Sequence, residues 1–236
     1  KVEGTAFTVT NKMQEANISE AFERVSQIAS DKNITLVSRT SQSDNYVDSI
    51  LEESKLGYDL IVVGASSGSE DSETVFGESV DELVSNSTCP IFIVIWKYED
   101  LTHPVKNILI PSTGADSSVK ALELGMVIAK GMNASVTCLN VMEAARIDDS
   151  VADSVNHARD ITASASDLAE AFEVKIDTVL KEGETAADEI LNTAKEVSAD
   201  VILLGGIKRP TAKLFLGQIV QKVVNEAECA VAVYIF

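Results

Sequence analysis

The chain has 236 residues, of which 45% are hydrophobic, and carries a formal net charge of −18 at neutral pH. This length accommodates two compact domains of about 100 to 130 residues each. The acidic excess opposes binding to nucleic acids and to anionic lipid surfaces. No apolar run approaches the roughly 20 residues needed to span a bilayer, and no basic and apolar signal segment opens the sequence.

Short β-branched runs alternate with amphipathic helical patterns along the whole chain, which predicts βαβ units with parallel sheets. The first half reads as a strand at 5–10, a helix at 19–30, a strand at 34–39, a helix at 46–55, a strand at 60–64, a helix at 78–85 and a strand at 91–96. After a polar linker at 98–105, the second half reads as strands at 108–110, 136–141, 174–180, 200–205 and 230–236, separated by helices at 118–132, from about 148 to 172, at 185–197 and at 216–226.

The long helix of the second half carries the strongest periodic signal in the sequence. Its apolar residues advance in steps of three and four, as one stripe facing a sheet requires. They are Val151, Val155, Ala158, Ile161, Ala165, Leu168 and Phe172. Asp148 and Asp149 favour a helix start, because carboxylates cap helix N-termini and are attracted by the helix dipole.

The sequence repeats itself at a distance of about 140 residues, the size of a small α/β domain. Asp-Leu-Ile-Val-Val-Gly at 59–64 returns as Asp-Val-Ile-Leu-Leu-Gly at 200–205, and the apolar run 90–95 returns at 230–235. We therefore predict two homologous domains, 1–97 (the first copy) and 106–236 (the second copy). The first copy has no counterpart of the strand and helix at 106–134, so we expect it to be incomplete at its front.

The last strands of the two copies are apolar without alternation, which is typical of strands buried on both faces or covered by a partner. Unpaired edges of this kind invite strand addition. We predict that the two copies pack about a pseudo-twofold axis through these strands, or that two chains do, and we expect a homodimer.

The residues that most often carry chemistry form no catalytic or metal-binding pattern. Cys89, Cys138 and Cys229 lie in or beside apolar strands, which predicts buried free thiols in a reducing compartment. His103 in the linker and His157 on a helix are predicted to be surface residues, without triad or metal-ligand spacing. We expect neither an enzyme nor a metal site, and we expect Trp96 to anchor the junction of the copies.

Five strands and four helices in this order, the Phe-Leu-Gly start of a helix at 215–217 and the Ala-Glu-Cys that precedes the closing strand resemble the universal stress protein family, in tandem. The resemblance implies an α/β fold of two three-layer domains, similar to the adenine nucleotide alpha hydrolases, each with a five-stranded parallel sheet. It also implies that the first strand in sequence lies in the middle of each sheet. The first copy would then lack its central strand, which either an upstream segment supplies or the chain has lost.

Many members of this family bind ATP, and the resemblance implies where. Their loop after the fourth strand follows Gly-x2-Gly-x9-Gly-[Ser/Thr] and cradles phosphates, while an Asp near the end of the first strand holds the nucleoside. In the first copy Gly64 and Gly77 match, but Ser67 and Glu78 replace the second Gly and the hydroxyl residue. The loop also contains three carboxylates, Glu70, Asp71 and Glu73, so we expect no nucleotide there.

The second copy keeps a more favourable charge at the same place. Thr113 stands where the family has Asp, Lys208 replaces the second Gly, Gln218 replaces the hydroxyl residue, and the loop is one residue short. A basic cluster fills this loop, and a candidate anion site would consist of Gly205, Lys208, Arg209, Lys213 and Gly217. The alternative is a solvated loop whose cations pair with nearby carboxylates. We expect no resident cofactor.

Two functions follow from the resemblance. The first is a non-catalytic regulatory and dimerisation domain on the cytoplasmic face of the plasma membrane, attached to a secondary transporter of the cation-chloride cotransporter or amino-acid permease type. The run 43–57 is similar to the corresponding stretch of such transporter domains. Its partners would be a second copy and the membrane-embedded domain of the same parent chain, with no nucleic acid. The alternative is a soluble tandem universal stress protein that binds ATP.

Overall fold

The structure is a computed structural model that describes residues 3–10, 15–66, 75–100, 102–143, 151–208 and 216–236. Strands and helices alternate along the chain in the predicted order, with ends that differ from the predicted ones by at most a few residues. The elements are β1 (Glu3–Thr10), α1 (Glu15–Asp31), β2 (Thr35–Gln42), α2 (Tyr46–Ser54), β3 (Ile61–Gly64), α3 (Glu78–Asn86), β4 (Ile91–Ile95), β5 (Asn107–Pro111), α4 (Asp116–Met132), β6 (Ser135–Glu143), α5 (Val151–Phe172), β7 (Ile176–Gly183), α6 (Ala186–Glu196), β8 (Val201–Gly206), α7 (Gln218–Glu226) and β9 (Ala230–Ile235).

The chain forms two compact units that do not coincide with the two copies. One comprises Lys1–Tyr58 with Asn86–Thr88, and the other comprises Asp59–Ser85 with Cys89–Phe236. The division follows strand pairing, since β3 and β4 belong to the same sheet as the strands of the second copy. The boundary at the linker 98–105 describes the sequence repeat and stays a prediction.

The smaller unit holds a two-stranded parallel sheet, β1 with β2, together with α1 and α2. The Asn45 side chain caps α2 by accepting hydrogen bonds from the Val47 and Asp48 amides. The Arg39 guanidinium donates to a Glu53 carboxylate oxygen at 2.9 Å, and the Tyr58 hydroxyl donates to the same oxygen at 2.6 Å. These contacts fasten the end of this unit to its second strand.

The larger unit is built on a seven-stranded sheet in the order β3-β4-β9-β8-β5-β6-β7. The five strands of the second copy are mutually parallel, and β5, the first of them in sequence, lies in the middle between β6 and β8. This confirms the α/β class and the predicted sheet of the second copy. The four strands of the first copy divide between two sheets, β1 with β2 and β3 with β4. In the described chain the first copy has no counterpart of β5, as expected of a copy without its central strand.

The last strands of the two copies pair with each other within one chain. β4 runs antiparallel to β9, with Ile93 opposite Val233 and Ile91 opposite Ile235. Because Ile93 and Val233 are counterparts in the repeat, this register places a local twofold axis between them. Of the two arrangements predicted for these strands, pairing inside the chain is therefore the one observed, whereas the homodimer stays a prediction.

The main core lies between the sheet and helices α4 and α5. Gly125 of α4 lets the helix approach closely, since a Cβ there would lie 2.3 Å from Ile110 Cδ1. The stripe predicted for α5 is buried at Ala158, Ile161 and Ala165, while its predicted start near Asp148 lies outside the described residues. The buried members of the cluster are Ile108, Ile110, Ala121, Leu122, Met126, Ala129, Ala134, Val136, Cys138, Ala165, Ala169, Leu203 and Ala232.

The linker is held against the second copy by hydrogen bonds rather than left free. Lys97 Nζ donates to the carbonyl oxygens of Val224 and Ala227 at 2.9 and 2.6 Å, which satisfies the end of α7. Burial lowers the pKa of Lys97. The Tyr98 hydroxyl donates to the Asp200 carbonyl oxygen at 2.8 Å. Trp96 contacts Tyr98 edge to face at 5.2 Å, so the tryptophan does lie within this junction.

The cysteines and histidines depart in part from the prediction of buried thiols and surface imidazoles. All three cysteines are free, but only Cys138 is fully buried, and burial raises its pKa to about 11. His157 is exposed, whereas His103 is half-buried, stacks on Tyr98 and lies 3.3 Å from an Asp200 carboxylate oxygen. In the described part of the chain, no helix has the length and apolar character that a membrane span requires.

Candidate functional site

The middle of the sheet is where the connections change direction. β5 pairs with β6 on one side and with β8 on the other, and all three strands are parallel. Ligands of open α/β sheets bind at such switch points, at the carboxyl ends of the strands. The candidate site is therefore the turn after β5 together with the described residues that follow β8 and precede α7.

The turn after β5 is organised by hydroxyl groups. The Ser118 hydroxyl donates to the Ala115 carbonyl oxygen at 2.8 Å and accepts from the Thr113 amide at 3.2 Å. The buried Asn140 side chain of β6 donates to the Ser112 carbonyl oxygen at 2.8 Å. The Thr113 hydroxyl accepts from the Ala115 amide at 3.4 Å. Thr113 thus occupies the end of the central strand with a neutral side chain that already helps to shape the turn.

Helix α5 packs directly on this turn. Gly114 has φ 76°, and a Cβ at this position would lie 3.0 Å from Ile161 Cγ1. His157 Nε2 lies 3.3 Å from the Thr113 carbonyl oxygen. An imidazole therefore lies beside the turn after β5, although the sequence placed it only on a helix surface.

The two glycines that end β8 let other segments come very close. A Cβ at Gly205 would lie 2.0 Å from the Ser117 carbonyl oxygen, so only glycine fits between β8 and the first turn of α4. A Cβ at Gly206 would lie 3.4 Å from Leu216 Cδ2. Leu216, two residues before α7, therefore lies beside the end of β8.

Helix α7 begins at a residue without a side chain. Gly217 is its N-cap with φ 94° and makes no side-chain capping bond, so the amides of the first turn of α7 are not capped by that residue. The helix dipole adds a partial positive charge at this end. Of the predicted anion site, Gly205, Lys208 and Gly217 are described, with Lys208 half-buried two residues after β8. Arg209 and Lys213 lie outside the described residues.

The corresponding place in the first copy is closed by a carboxylate. Asp81 of α3 is only 8% exposed, and its two oxygens accept hydrogen bonds from the Val75 and Phe76 amides, each at 3.1 Å. Burial raises the pKa of Asp81 more than these two donors lower it. The Asp81 carboxylate thus holds the backbone that precedes α3. The counterpart of Asp81 in the second copy is the uncharged Gln221. Ser67, Glu70, Asp71 and Glu73 lie outside the described residues.

The sequence analysis missed Ser118, Asn140, His157 and Asp81. None of them belongs to a motif, but Asp81 and Gln221 are counterparts in the repeat, so aligning the copies helix by helix could have singled out this pair. Across the described ranges, no group of three or more His, Cys, Asp or Glu side chains is arranged to hold a metal ion. The described site consequently offers backbone amides, hydroxyls and one cation, which suits an anionic ligand.

The sequence of the chain is similar to that of a known protein family. The sequence profile of the universal stress protein family matches residues 104–234, which is more than half of the chain. Universal stress protein MJ0531 of Methanocaldococcus jannaschii is 28% identical over 138 residues, covering 54% of this chain and 81% of that protein.

Solved structures show the same fold over almost the whole chain. A universal stress protein from Archaeoglobus fulgidus superposes with a TM-score of 0.61 at 17% identity, covering 98% of this chain and 87% of that one. A protein of unknown function from Pseudomonas aeruginosa superposes with a TM-score of 0.59 at 15% identity, covering 98% and 81%. Because the family profile matches more than half of the chain, the chain belongs to the universal stress protein family.

Proposed function

We propose that this chain acts as a tandem universal stress protein whose second copy binds an adenine nucleotide at the carboxyl ends of β5 and β8. The observation that carries the proposal is the start of α7, where a Gly217 N-cap without a side chain follows a loop that contains Lys208. Adenine nucleotides are the ligands that the family resemblance implies, and their phosphates suit a helix N-terminus and a cation.

Each part of the site has a role in this proposal. The amides of the first turn of α7 receive phosphate oxygens, and the Lys208 ammonium adds a charge-assisted hydrogen bond. Gly205 lets β8 lie against the first turn of α4, which fixes the end of β8. Thr113 contacts the nucleoside through a hydroxyl instead of a carboxylate, which gives a weaker hold on the sugar because hydrogen bonds to charged groups are the stronger ones.

The first copy has no nucleotide in this proposal. Asp81 keeps a negative charge beside the amides that precede α3, and a phosphate at that position would be repelled. The proposed stoichiometry is one nucleotide per chain.

Calorimetric titration with Mg²⁺ and ATP tests the proposal. We expect binding with one site per chain, and we expect Lys208→Glu to weaken it by a factor of about 10 to 100, since a bond to a charged group is worth about 1.5–3 kcal/mol. Lys175→Glu is the matched control, because Lys175 is exposed just before β7, at the opposite end of the sheet. Equal losses in both variants would show that only net charge matters.

A variant that should bind the nucleoside more tightly tests the proposal without relying on a loss of affinity. Thr113→Asp restores the carboxylate that the family places at this position, and we expect adenosine to bind about tenfold more tightly to it. Absence of any titration heat with ATP in the unmodified chain, together with no gain in Thr113→Asp, would rule out the proposed ligand.

A second candidate is a regulatory domain of a secondary transporter at the cytoplasmic face of the membrane, with dimerisation as its activity. The observation that favours it is the first copy, in which the buried Asp81 carboxylate occupies the backbone position before α3 while the order of strands and helices is kept. The coding sequence upstream of the chain tests this candidate: several apolar segments of about 20 residues would support it. A start codon a short distance upstream, with no such segment, would contradict it.

A further inference from the structure

Strand β7 is one of the two outer strands of the seven-stranded sheet. The last strands β4 and β9, which the sequence analysis considered for pairing between chains, are paired with each other. In the described chain this leaves β3 and β7 at the edges of the sheet. β3 has four residues, whereas β7 has eight. β7 therefore offers the longer row of main-chain donors and acceptors for strand addition.

The ladder with β6 shows which main-chain groups of β7 point outwards. The Val136 amide of β6 donates to the Lys175 carbonyl oxygen at 2.9 Å. Because β7 runs parallel to β6 and successive residues alternate between the two edges of a strand, the odd-numbered residues of β7 bond to β6. The even-numbered residues direct their amides and carbonyls to the outer edge, and they are Ile176, Thr178, Leu180 and Glu182. Within the described ranges no strand pairs with them.

The side chains along this edge are also open to solvent. Thr178, Leu180 and Glu182 are exposed, and the apolar Leu180 is 42% exposed although Leu139 of the neighbouring β6 is fully buried. No proline interrupts β7. Natural edge strands are commonly protected by proline or by charged side chains. The charges of β7 have a different effect, because their positions make the edge complementary to itself.

The main-chain groups of β7 match those of a second molecule in one antiparallel register. A twofold axis through Val179 places Thr178 opposite Leu180 of the partner molecule and Ile176 opposite Glu182. All four outward-pointing residues then bond to a residue that also points outwards. The exposed Leu180 is covered by the partner strand in this arrangement.

The charges of β7 favour the same register. With the axis through Val179, Asp177 lies opposite Lys181 on both sides of the axis, and opposite charges that face each other across two strands are stabilising. An axis through Thr178 would place Lys175 opposite Lys181, which is a pair of like charges. An axis through Leu180 would remove both attractive pairs. The register through Val179 is therefore the one that side chains and main chain both support.

Lys181 can make this contact without giving up its ion pair within the chain. Its Nζ donates to the two carboxylate oxygens of Glu196 at 3.0 and 2.8 Å, and an ammonium group has three N–H donors. One donor is thus left for Asp177 of the partner molecule. The counterpart strand β2 lacks the charge pattern, because it has Leu36 and Thr40 at the corresponding positions.

We propose that β7 is a self-association edge at which two molecules of this chain pair antiparallel about a twofold axis through Val179. The two seven-stranded sheets then continue into one another. A second molecule is the partner because the edge is complementary to its own sequence. β7 lies two strands away from β5, so the proposal does not depend on the proposed nucleotide site.

The dimer should be weak. Stable interfaces between separate proteins bury about 1,200–2,000 Å² in total, and a single edge strand supplies less than that. The net charge of −18 also repels a second molecule, although salt screens this repulsion beyond about 8 Å at physiological ionic strength. We therefore expect a monomer at low micromolar concentration and a dimer as the concentration approaches millimolar.

Two charge variants test the register by sedimentation velocity. Asp177→Lys places a lysine opposite Lys181, and Lys181→Glu places a glutamate opposite Asp177, so each variant alone should dimerise about tenfold more weakly. In an equimolar mixture each variant faces opposite charges on the other, and dimerisation should return. Lys175→Glu is the matched control, because it changes the net charge as Lys181→Glu does but lies opposite Gly183 in this register.

A cysteine at the axis locates it independently of the charges. Opposite residues of antiparallel strands that are not joined by hydrogen bonds have Cα atoms about 4.5 Å apart, within the range of a disulfide. Val179→Cys should give a disulfide-linked dimer under mild oxidation, whereas Thr178→Cys and Leu180→Cys should not. The natural chain, whose three cysteines are free, is the blank.

Three results would overturn the proposal. The first is a natural chain that stays monomeric up to millimolar concentration. The second is a dimer that both charge variants form as readily as the natural chain, which would identify another surface as the interface. The third is a disulfide-linked dimer in Thr178→Cys or Leu180→Cys but not in Val179→Cys.

Discussion

The segment from β3 to α3 and the segment from β8 to α7 have the same order of elements and similar strands, but they differ in what surrounds them. β8 lies beside a central strand and under a helix, and its loop leads to a helix without a side-chain cap. β3 is an edge strand, and the backbone before its helix is held by the Asp81 carboxylate. The comparison teaches that a repeated sequence forms the same strands and helices in both copies. Whether a strand end can bind a ligand depends on the strands, helices and side chains packed around it.

The largest expected difference between the copies concerns burial. Leu203→Ala should lower the free energy of unfolding by about 3 kcal/mol, because a fully buried leucine leaves a cavity. Val62→Ala at the counterpart should change it by less than about 0.5 kcal/mol, since Val62 is exposed. Urea unfolding followed by the fluorescence of Trp96, the sole tryptophan, measures both. Equal losses would mean that the face of β3 is covered in solution.

The next difference concerns the close approach at the end of the strand. Gly205→Ala should cost about 2 kcal/mol, because its Cβ would overlap the Ser117 carbonyl oxygen and force the backbone to move. Gly64→Ala should be neutral or slightly stabilising, since a Cβ there meets nothing within 4 Å. Thermal unfolding of the two variants gives the comparison. A tolerated Gly205→Ala would contradict the tight contact between β8 and α4.

A smaller effect is expected where the loops meet the helices. Asp81→Ala should cost about 1–2 kcal/mol, because the buried Val75 and Phe76 amides lose their acceptor. Gln221→Ala, at the counterpart in α7, should cost less than about 0.5 kcal/mol. Urea unfolding measures both effects. An unchanged free energy of unfolding in Asp81→Ala would show that the Val75 and Phe76 amides find other acceptors.

The smallest effect is the pH dependence that Asp81 imposes. Its folded-state pKa is raised, chiefly by burial, so the folded protein binds the proton more tightly than the unfolded chain does. The contribution to stability is therefore greatest below the unfolded pKa of 3.8 and is lost as the pH rises through the raised folded pKa. Subtracting the stability profile of Asp81→Asn from that of the natural chain isolates this contribution, and a difference that rises with pH would contradict it.

Local patterns predicted the elements of the second copy, whereas the order of strands in its sheet was implied by the resemblance to the family. Alternation of apolar runs and helical stripes, such as Ala158, Ile161 and Ala165, marks each element, and right-handed parallel connections leave few topologies. The sequence predicted that the first copy lacks a counterpart of β5. It did not predict that β1 and β2 form one sheet while β3 and β4 join another, because that depends on which strands pair with each other. Backbone hydrogen bonds between distant strands leave no periodic mark in the sequence.

The site was less accessible to sequence reasoning. Gly205, Lys208 and Gly217 were assigned because the resemblance to the family implied a phosphate-binding loop at these positions. The contacts of Asn140 and His157 with the turn after β5 could not be predicted, because they arise when β6 and α5 are packed beside it. Asp81 was unremarkable as an acidic residue on a helix, and only its burial gives it a role.

The antiparallel pairing of β4 with β9 has a consequence for keeping the two copies on one chain. Their junction is a ladder of main-chain hydrogen bonds, which tolerates side-chain replacement but not separation. If the two copies were expressed as separate proteins, each would have an unpaired apolar edge strand, and such strands promote aggregation. A gene that encodes both copies on one chain keeps this ladder within one molecule.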